Sequence, residues 1–174
     1  MTVTRRSLVV AAVLAAAAAA AAAVVALRLG REPPTDAELI RALFDGAARA
    51  AEEKRVSDAV EGVSERFHGG GLDRRGAKQL VAFHVLRGEW VSVSVSGARI
   101  AVAGDAARAN VDAVLARGSG KGKSLEALVP GEASAHRFAC RLEREPEGWR
   151  IVEAEWRPIG LADALAGPPE PEAP

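Results

Sequence analysis

The sequence has little of what metal and redox chemistry needs: among its 174 residues are one cysteine and three histidines. Cys140 has no partner for an intrachain disulfide, and no His and Cys residues have the spacing of a zinc site. The 23 basic and 23 acidic side chains balance, whereas a nucleic-acid-binding domain usually has a basic excess. We therefore expect no metal, no cofactor and no nucleic-acid partner.

One motif nonetheless suggests a nucleotide: GSGKGKS, residues 118–124, looks like a phosphate-binding loop. Such a loop has the spacing G-x-x-x-x-G-K-S/T, which wraps backbone N–H groups around the phosphates. Counting back five residues from Gly122 reaches Arg117, so the loop is one residue short. Pro130 and Gly131 also follow too soon for the long helix that would face the phosphates. We interpret the segment as a cationic hairpin loop.

The amino terminus carries a long uncharged run, residues 7–27, which follows Arg5 and Arg6. A helix over this run is roughly 30 Å long, enough to cross the hydrocarbon core of a bilayer. The two arginines favour an amino terminus inside the cytoplasm and a domain outside it. We predict a signal anchor and short linker in residues 1–34. The alternative is a cleaved signal peptide followed by export, because the alanines satisfy a small-residue cleavage rule and residues 4–10 resemble a twin-arginine signal.

Helical periodicity dominates the first half of the domain that follows. A capping box, formed by Thr35 and Glu38, predicts a helix that starts at Asp36. Apolar residues at helical spacing predict a second helix over about Asp58 to Phe67. The same pattern predicts a third helix from Arg74 to Arg87.

From Trp90 onward, apolar and polar residues alternate, which is typical of half-buried strands. The alternation and the glycine turns between its segments predict a meander of four or five mostly antiparallel strands. Helices followed by strands indicate an α+β domain over residues 35–159, with the helices packed on one face of a curved sheet. Residues 160–174 are rich in proline and glutamate, so we predict a disordered tail.

Three segments carry a family resemblance: AARAAEEKRVSDAVEGVSERFHG (47–69), IAVAGDAARANVDAV (100–114) and CRLEREPEGWRIVEAEW (140–156). Together they resemble the nuclear transport factor 2-like superfamily, whose cone-shaped cystatin-like fold also contains the ketosteroid isomerases and polyketide-cyclase-like proteins. The resemblance covers about residues 35–158. It implies a fold and no single activity, because this fold hosts enzymes, binding modules and dimerisation domains alike.

The resemblance also implies a pocket between the helices and the concave sheet, where enzymes of this fold place a buried Asp, His or Tyr for proton chemistry. We expect six residues to line it: His84, Phe83, Trp90, His136, Phe138 and Trp156. His84 lies on the apolar stripe of the third helix and His136 shares a strand face with Phe138, so either histidine is a candidate general base. The simpler interpretation of His84 is a packed imidazole with one hydrogen bond. The sequence contains no tyrosine, so the tyrosine-based oxyanion hole of the ketosteroid isomerases is absent.

Two carboxylate positions follow from the strand alternation. Asp112 shares a face with Asn110, so we expect it to point outward and away from His136, which leaves no His–Asp dyad. Glu153 and Glu155 alternate with apolar residues and are predicted to form a solvated face.

Two hypotheses about function remain. The first is a non-catalytic binding or assembly domain, tethered to the membrane through residues 7–27. Its cone would hold a small apolar ligand, or its sheet would pair with a second copy or a partner. The second is an isomerase-, dehydratase- or cyclase-like enzyme that acts on a small hydrophobic substrate, with His84 or His136 as general base. We favour the first, because the sequence holds no complete catalytic constellation.

Overall fold

The structure, a computed structural model, describes residues 32–86, 92–116 and 133–174. The chain divides into two units, Met1–Pro34 and Thr35–Pro174, and every element below belongs to the second. The uncharged run 7–27, Trp90 and the GSGKGKS segment lie outside the described residues. None of the described helices is long and apolar enough to span a membrane.

The described elements are four helices and six strands, in the order ααββαββββα. They are α1 (Asp36–Glu52), α2 (Val56–Ala59), β1 (Val63–Gly69), β2 (Leu72–Asp73), α3 (Arg74–Leu86), β3 (Ser92–Ala103), β4 (Ala106–Ala116), β5 (Ala133–Glu145), β6 (Gly148–Ile159) and α4 (Leu161–Ala166).

The predicted helix start at Asp36 is confirmed by its hydrogen bonds. The backbone N–H of Glu38 donates to the Thr35 hydroxyl over 3.3 Å, and the backbone N–H of Thr35 donates to the Glu38 carboxylate over 2.7 Å. Both N–H groups lie in the first turn, where the helix offers them no carbonyl partner.

The sheet has six strands in the order β2-β1-β6-β5-β4-β3. Strands β3 to β6 form the predicted antiparallel meander. Strand β1 pairs with β6 in parallel and with β2 in antiparallel orientation, so the sheet is mixed. The sheet thus has six strands where four or five were predicted, because β1 and β2 precede α3 in a region for which no strand was predicted.

The predicted helix over Asp58 to Phe67 was wrong, because only Asp58 and Ala59 lie in the short helix α2, and Val63 to Phe67 lie in strand β1 after a turn. Positions four apart share one face in a helix and also in a strand, so the spacing from Val63 to Phe67 fits both structures. The extended form is stabilised by pairing with β6, far away in sequence. The chain turns before the strand at Gly62, where a Cβ atom would lie 2.8 Å from the Leu43 side chain.

The main core lies between α1 and one face of the sheet, which we call the inner face. The buried members of this core come from α1, β1, β4, β5 and β6: Ile40, Phe67, Ala107, Ala109, Val111, Cys140, Leu142, Trp149 and Ala154. Burial raises the pKa of the Cys140 thiol to about 12, as expected for a buried and unreactive cysteine. The inner face is therefore packed by apolar side chains.

The opposite face of the sheet, which we call the outer face, is covered in part by α4. Ala164 of this helix packs against Val114 and Ala135 in a second, smaller buried cluster. After the helix, Pro168 is also buried, and the chain continues without regular secondary structure to Pro174. Residues 160–174 thus differ from the predicted disordered tail, because α4 and the proline bury apolar surface against the sheet.

Candidate functional site

The two histidines predicted at the inner face lie close to each other. His84, on α3, is half-buried, and His136 lies on β5 opposite Ala113. The pKa of His136 lies below its ordinary value of 6.5 because the ring is partly buried and because His84 repels a second positive charge. The structure therefore brings together the two candidate bases, and it favours a neutral His136 at physiological pH.

The aromatic residues predicted around these histidines differ in exposure. Phe138 and Trp156 lie opposite each other on β5 and β6, with ring centroids 6.5 Å apart. The Trp156 side chain covers Gly70, and 36 % of its surface remains exposed. Phe83 packs edge-on against the His84 ring but is half exposed. Trp90 lies outside the described residues.

Two grooves formed by described residues have volumes of about 510 and 450 Å³. Both are open and both include Glu153 and Glu155, so they lie along the outer face. Neither is lined by His84 or His136. The inner pocket around the six residues thus stays a prediction, and the larger groove becomes the better-defined candidate site.

A buried ion pair lies beneath α4 at one end of the outer face. Asp112 is on the predicted face but is completely buried, so the expectation that it points into solvent was wrong. Its carboxylate accepts two hydrogen bonds from the Arg137 guanidinium, at 2.7 and 2.8 Å. These bonds neutralise the charge of a carboxylate that is buried from water, and they raise the pKa of Arg137. His136 is on the neighbouring position of β5 and therefore faces the other way, as expected.

The last residues of the chain form one wall of the larger groove, which Glu170, Pro171 and Glu172 help to line. The Asn110 side-chain amide donates to the Pro169 carbonyl over 3.0 Å. Arg99 is paired with Glu170 at 3.3 Å, and Arg108 with Glu172 at 3.5 Å. These contacts reach from β3 to β4, so the carboxy-terminal segment crosses neighbouring strands.

The other side of the groove carries a network of paired charges. Arg141 donates to Glu143 at 2.6 Å and to Glu153 at 3.1 Å, and Arg66 reaches Glu143 at 2.9 Å. The two arginines hold the pKa of Glu143 below its ordinary value. Glu153 is therefore partly engaged and not simply solvated, whereas Glu155 is exposed as expected.

The polar groups of this site act as hydrogen-bond donors and as members of ion pairs. Within residues 32–86, 92–116 and 133–174, no group of three or more His, Cys, Asp or Glu side chains is placed to hold a metal ion. The groove instead offers amide and guanidinium donors to carbonyl and carboxylate oxygens.

Sequence reasoning missed this site, although part of its signal was present. The alternation along β4 places Arg108 and Asn110 on one face, which is visible in the sequence. We did not foresee that residues 167–174 lie against this face, because their proline and glutamate content indicated disorder. A segment of this composition is ordered only where another surface holds it.

Comparisons with known proteins agree with the fold described above. No protein-family model matches the chain, and no curated protein matches it either. Many solved structures do match. One is a nuclear transport factor 2-like protein with a cystatin-like fold from Novosphingobium aromaticivorans, with a TM-score of 0.54 at 20 % identity over 71 % of this chain and 82 % of that one. The fold is the cystatin-like cone.

Two further matches carry names that suggest enzymes. A proposed dehydratase of the nuclear transport factor 2-like family from Streptomyces avermitilis has a TM-score of 0.55 at 15 % identity, over 74 % of this chain and 99 % of that one. A proposed aromatic ring hydroxylase from Novosphingobium aromaticivorans has a TM-score of 0.55 at 13 % identity, over 75 % and 93 %. At these identities the similarity shows the fold alone.

Proposed function

We propose that this protein is a non-catalytic binding domain that docks an extended protein segment on its outer face. The observation that supports it is a segment of this chain that already lies on the outer face, where Asn110, Arg99 and Arg108 hold it. The inner face contributes stability, since Ile40 and Leu142 are fully buried there. Residues 7–27 would tether the domain to the membrane and place it outside the cytoplasm.

Selection from a random peptide library tests the binding function without assuming a ligand. The bait is the full chain in mild detergent, with residues 168–174 replaced by alternating glycine and serine so that the sheet surface beneath them is uncovered. We expect enriched peptides that lose binding in an Arg108→Glu bait and keep it in a His84→Ala bait. Failure to enrich any peptide, or equal binding to both baits, would exclude the outer face as the binding site.

A second candidate function is proton-transfer catalysis at the inner face. It is supported by the proximity of His84 to His136 and by the lowered pKa of His136, which leaves that imidazole free to accept a proton near neutral pH. The name of the proposed dehydratase points the same way. Isomerases, dehydratases and cyclases often begin by removing a proton next to a carbonyl group. Deuterium uptake by small hydrophobic ketones in D₂O, lost in both His84→Ala and His136→Ala, would favour catalysis. Uptake that neither substitution changes would count against it.

A further inference from the structure

The outer face of the sheet leaves room for a proline ring at Gly97 on β3. Strand β3 has an irregularity between Val95 and Gly97. A Cβ atom on Gly97 would lie 2.7 Å from Cδ of Pro168, which is closer than two carbon atoms can approach. The missing side chain of Gly97 therefore leaves the space in which Pro168 is buried.

Side chains of the sheet bind the main chain of the segment on either side of this proline. Arg137 donates to the Gly167 carbonyl over 3.2 Å, and Asn110 donates to the Pro169 carbonyl over 3.0 Å. The two carbonyl groups are two residues apart. Proline residues suit such contacts because their fixed φ angle lowers the conformational entropy lost on binding.

Two guanidinium groups then recognise acidic side chains, again two residues apart. Arg99 is paired with Glu170 and Arg108 with Glu172. The four side chains are at least 43 % exposed, so each ion pair contributes little binding free energy and is screened by salt. Contacts of this strength select an acidic segment, yet they allow one segment to replace another.

From these contacts we infer that the outer face is a recognition site for extended, acidic, proline-rich segments of a partner protein. The chain's own residues 168–174 occupy this site and mask it. This inference deepens the proposed function and rests on it. Gly167, which has a φ of 84°, connects residues 168–174 to α4. Because of this link, the segment stays at a high local concentration next to the outer face. A partner segment binds only when it outcompetes that local copy.

A peptide binding experiment tests the inference. The probe is a fluorescent peptide of sequence GPPEPEAP, which is residues 167–174, and the protein is the full chain in mild detergent. We expect the variant with residues 168–174 replaced by alternating glycine and serine to bind the probe at least ten times more tightly than the wild-type chain. On that open variant, Gly97→Ala and the pair Arg99→Glu, Arg108→Glu should each weaken binding several-fold.

Matched peptides separate the chemical requirements of the site. We expect weaker binding when both glutamates are changed to lysine, and also when the prolines are changed to glycine. Binding that is insensitive to both changes, or that is equal for the open and wild-type chains, would overturn the inference. A complex between the wild-type chain and the open variant, detected by sedimentation, would overturn the assignment to a partner protein and make a second copy the donor of the segment.

A failure of this inference can be distinguished from a failure of the proposed function. If the library selection yields peptides that need Arg108 but contain neither proline nor acidic residues, the outer face still binds proteins and this inference is wrong. If neither experiment detects binding to the open variant, both are wrong. The melting temperature of the open variant should stay within a few degrees of the wild-type value, which checks that the sheet and α4 remain folded.

Discussion

At the scale of single residues, the described part of the chain neutralises its buried charge by pairing. Asp112 is fully buried and the Arg137 side chain is 15 % exposed, with two short hydrogen bonds between them. Two ions taken out of water are stable only while both are present, since either one alone keeps its desolvation cost without its partner. The pair therefore joins β4 to β5 on the outer face, and Arg137 also holds the main chain after α4 through the Gly167 carbonyl.

Asp112→Asn should lower the free energy of unfolding by about 3–5 kcal/mol, because it leaves the Arg137 guanidinium buried without an opposite charge. Replacing both residues by leucine should cost less than the single change. The exposed pair Arg41–Asp45 on α1 is the control, and Asp45→Asn should cost no more than about 1 kcal/mol. Urea unfolding followed by tryptophan fluorescence measures all three variants. Equal losses for Asp112→Asn and Asp45→Asn would show that the buried pair is not structural.

The histidine pair gives the inner face a pH response. Between pH 6.5 and the lower pKa of folded His136, the unfolded chain binds a proton that the folded chain does not. The free energy of unfolding should therefore fall as the pH decreases through this window, and should be recovered above pH 6.5. His136→Gln should remove this part of the pH dependence.

Nuclear magnetic resonance titration measures the lowered pKa of His136 directly. The His136 ring should titrate below 6.5, and His84→Gln should raise its pKa because one of its two causes is removed. His68→Gln serves as the control, since His68 lies by Glu153 on the other side of the sheet from this pair. A His136 pKa that does not respond to His84→Gln would mean that the two rings are further apart than the structure places them.

At the scale of elements, local patterns predicted the meander but not the edge of the sheet. Strands β3 to β6 alternate apolar and polar residues, and this period of two is a property of each strand alone. Strand β1 depends on its parallel pairing with β6, and the four-residue spacing of Val63 and Phe67 fits a helix equally well. Helix α4 has six residues, too few for a periodic pattern, so its packing over Val114 and Ala135 was missed. The inner pocket around His84 was suggested by resemblance alone.

The turn between β1 and β2 offers a matched test of packing at this edge. Gly70 and Gly71 both have positive φ, at 55° and 76°, so alanine at either position should cost about 1–2 kcal/mol. A Cβ atom on Gly70 would also lie 2.5 Å from the Trp156 ring, whereas one on Gly71 would meet nothing within 4 Å. Gly70→Ala should therefore destabilise the chain more than Gly71→Ala in urea unfolding. Equal losses would indicate that the Trp156 ring does not lie over the turn.

At the scale of the whole molecule, the proposed membrane tether gives the binding face its setting. The chain has no net charge, so long-range electrostatic attraction does not bring the domain to an anionic surface. The uncharged run 7–27 would instead hold the domain at the membrane. Arg5 and Arg6 before the run, and Arg28 and Arg31 after it, favour opposite orientations of the run. A docking face outside the cytoplasm would meet segments of other exported proteins.

A reporter fused after Pro174 tests this orientation. Alkaline phosphatase, which folds only outside the cytoplasm, should be active on the fusion, and the fusion should stay in the membrane fraction. Arg5→Glu with Arg6→Glu should reduce the phosphatase activity. Arg28 and Arg31 then favour an orientation in which the flank after residue 27, and the reporter with it, stays in the cytoplasm. The matched change of Arg28→Glu with Arg31→Glu should preserve it. An intact amino terminus in the mass spectrum would indicate an anchor, and loss of the run would indicate a cleaved signal. An inactive reporter in the soluble fraction would contradict the tether altogether, and the outer face would then have to find its acidic, proline-rich segments inside the cell.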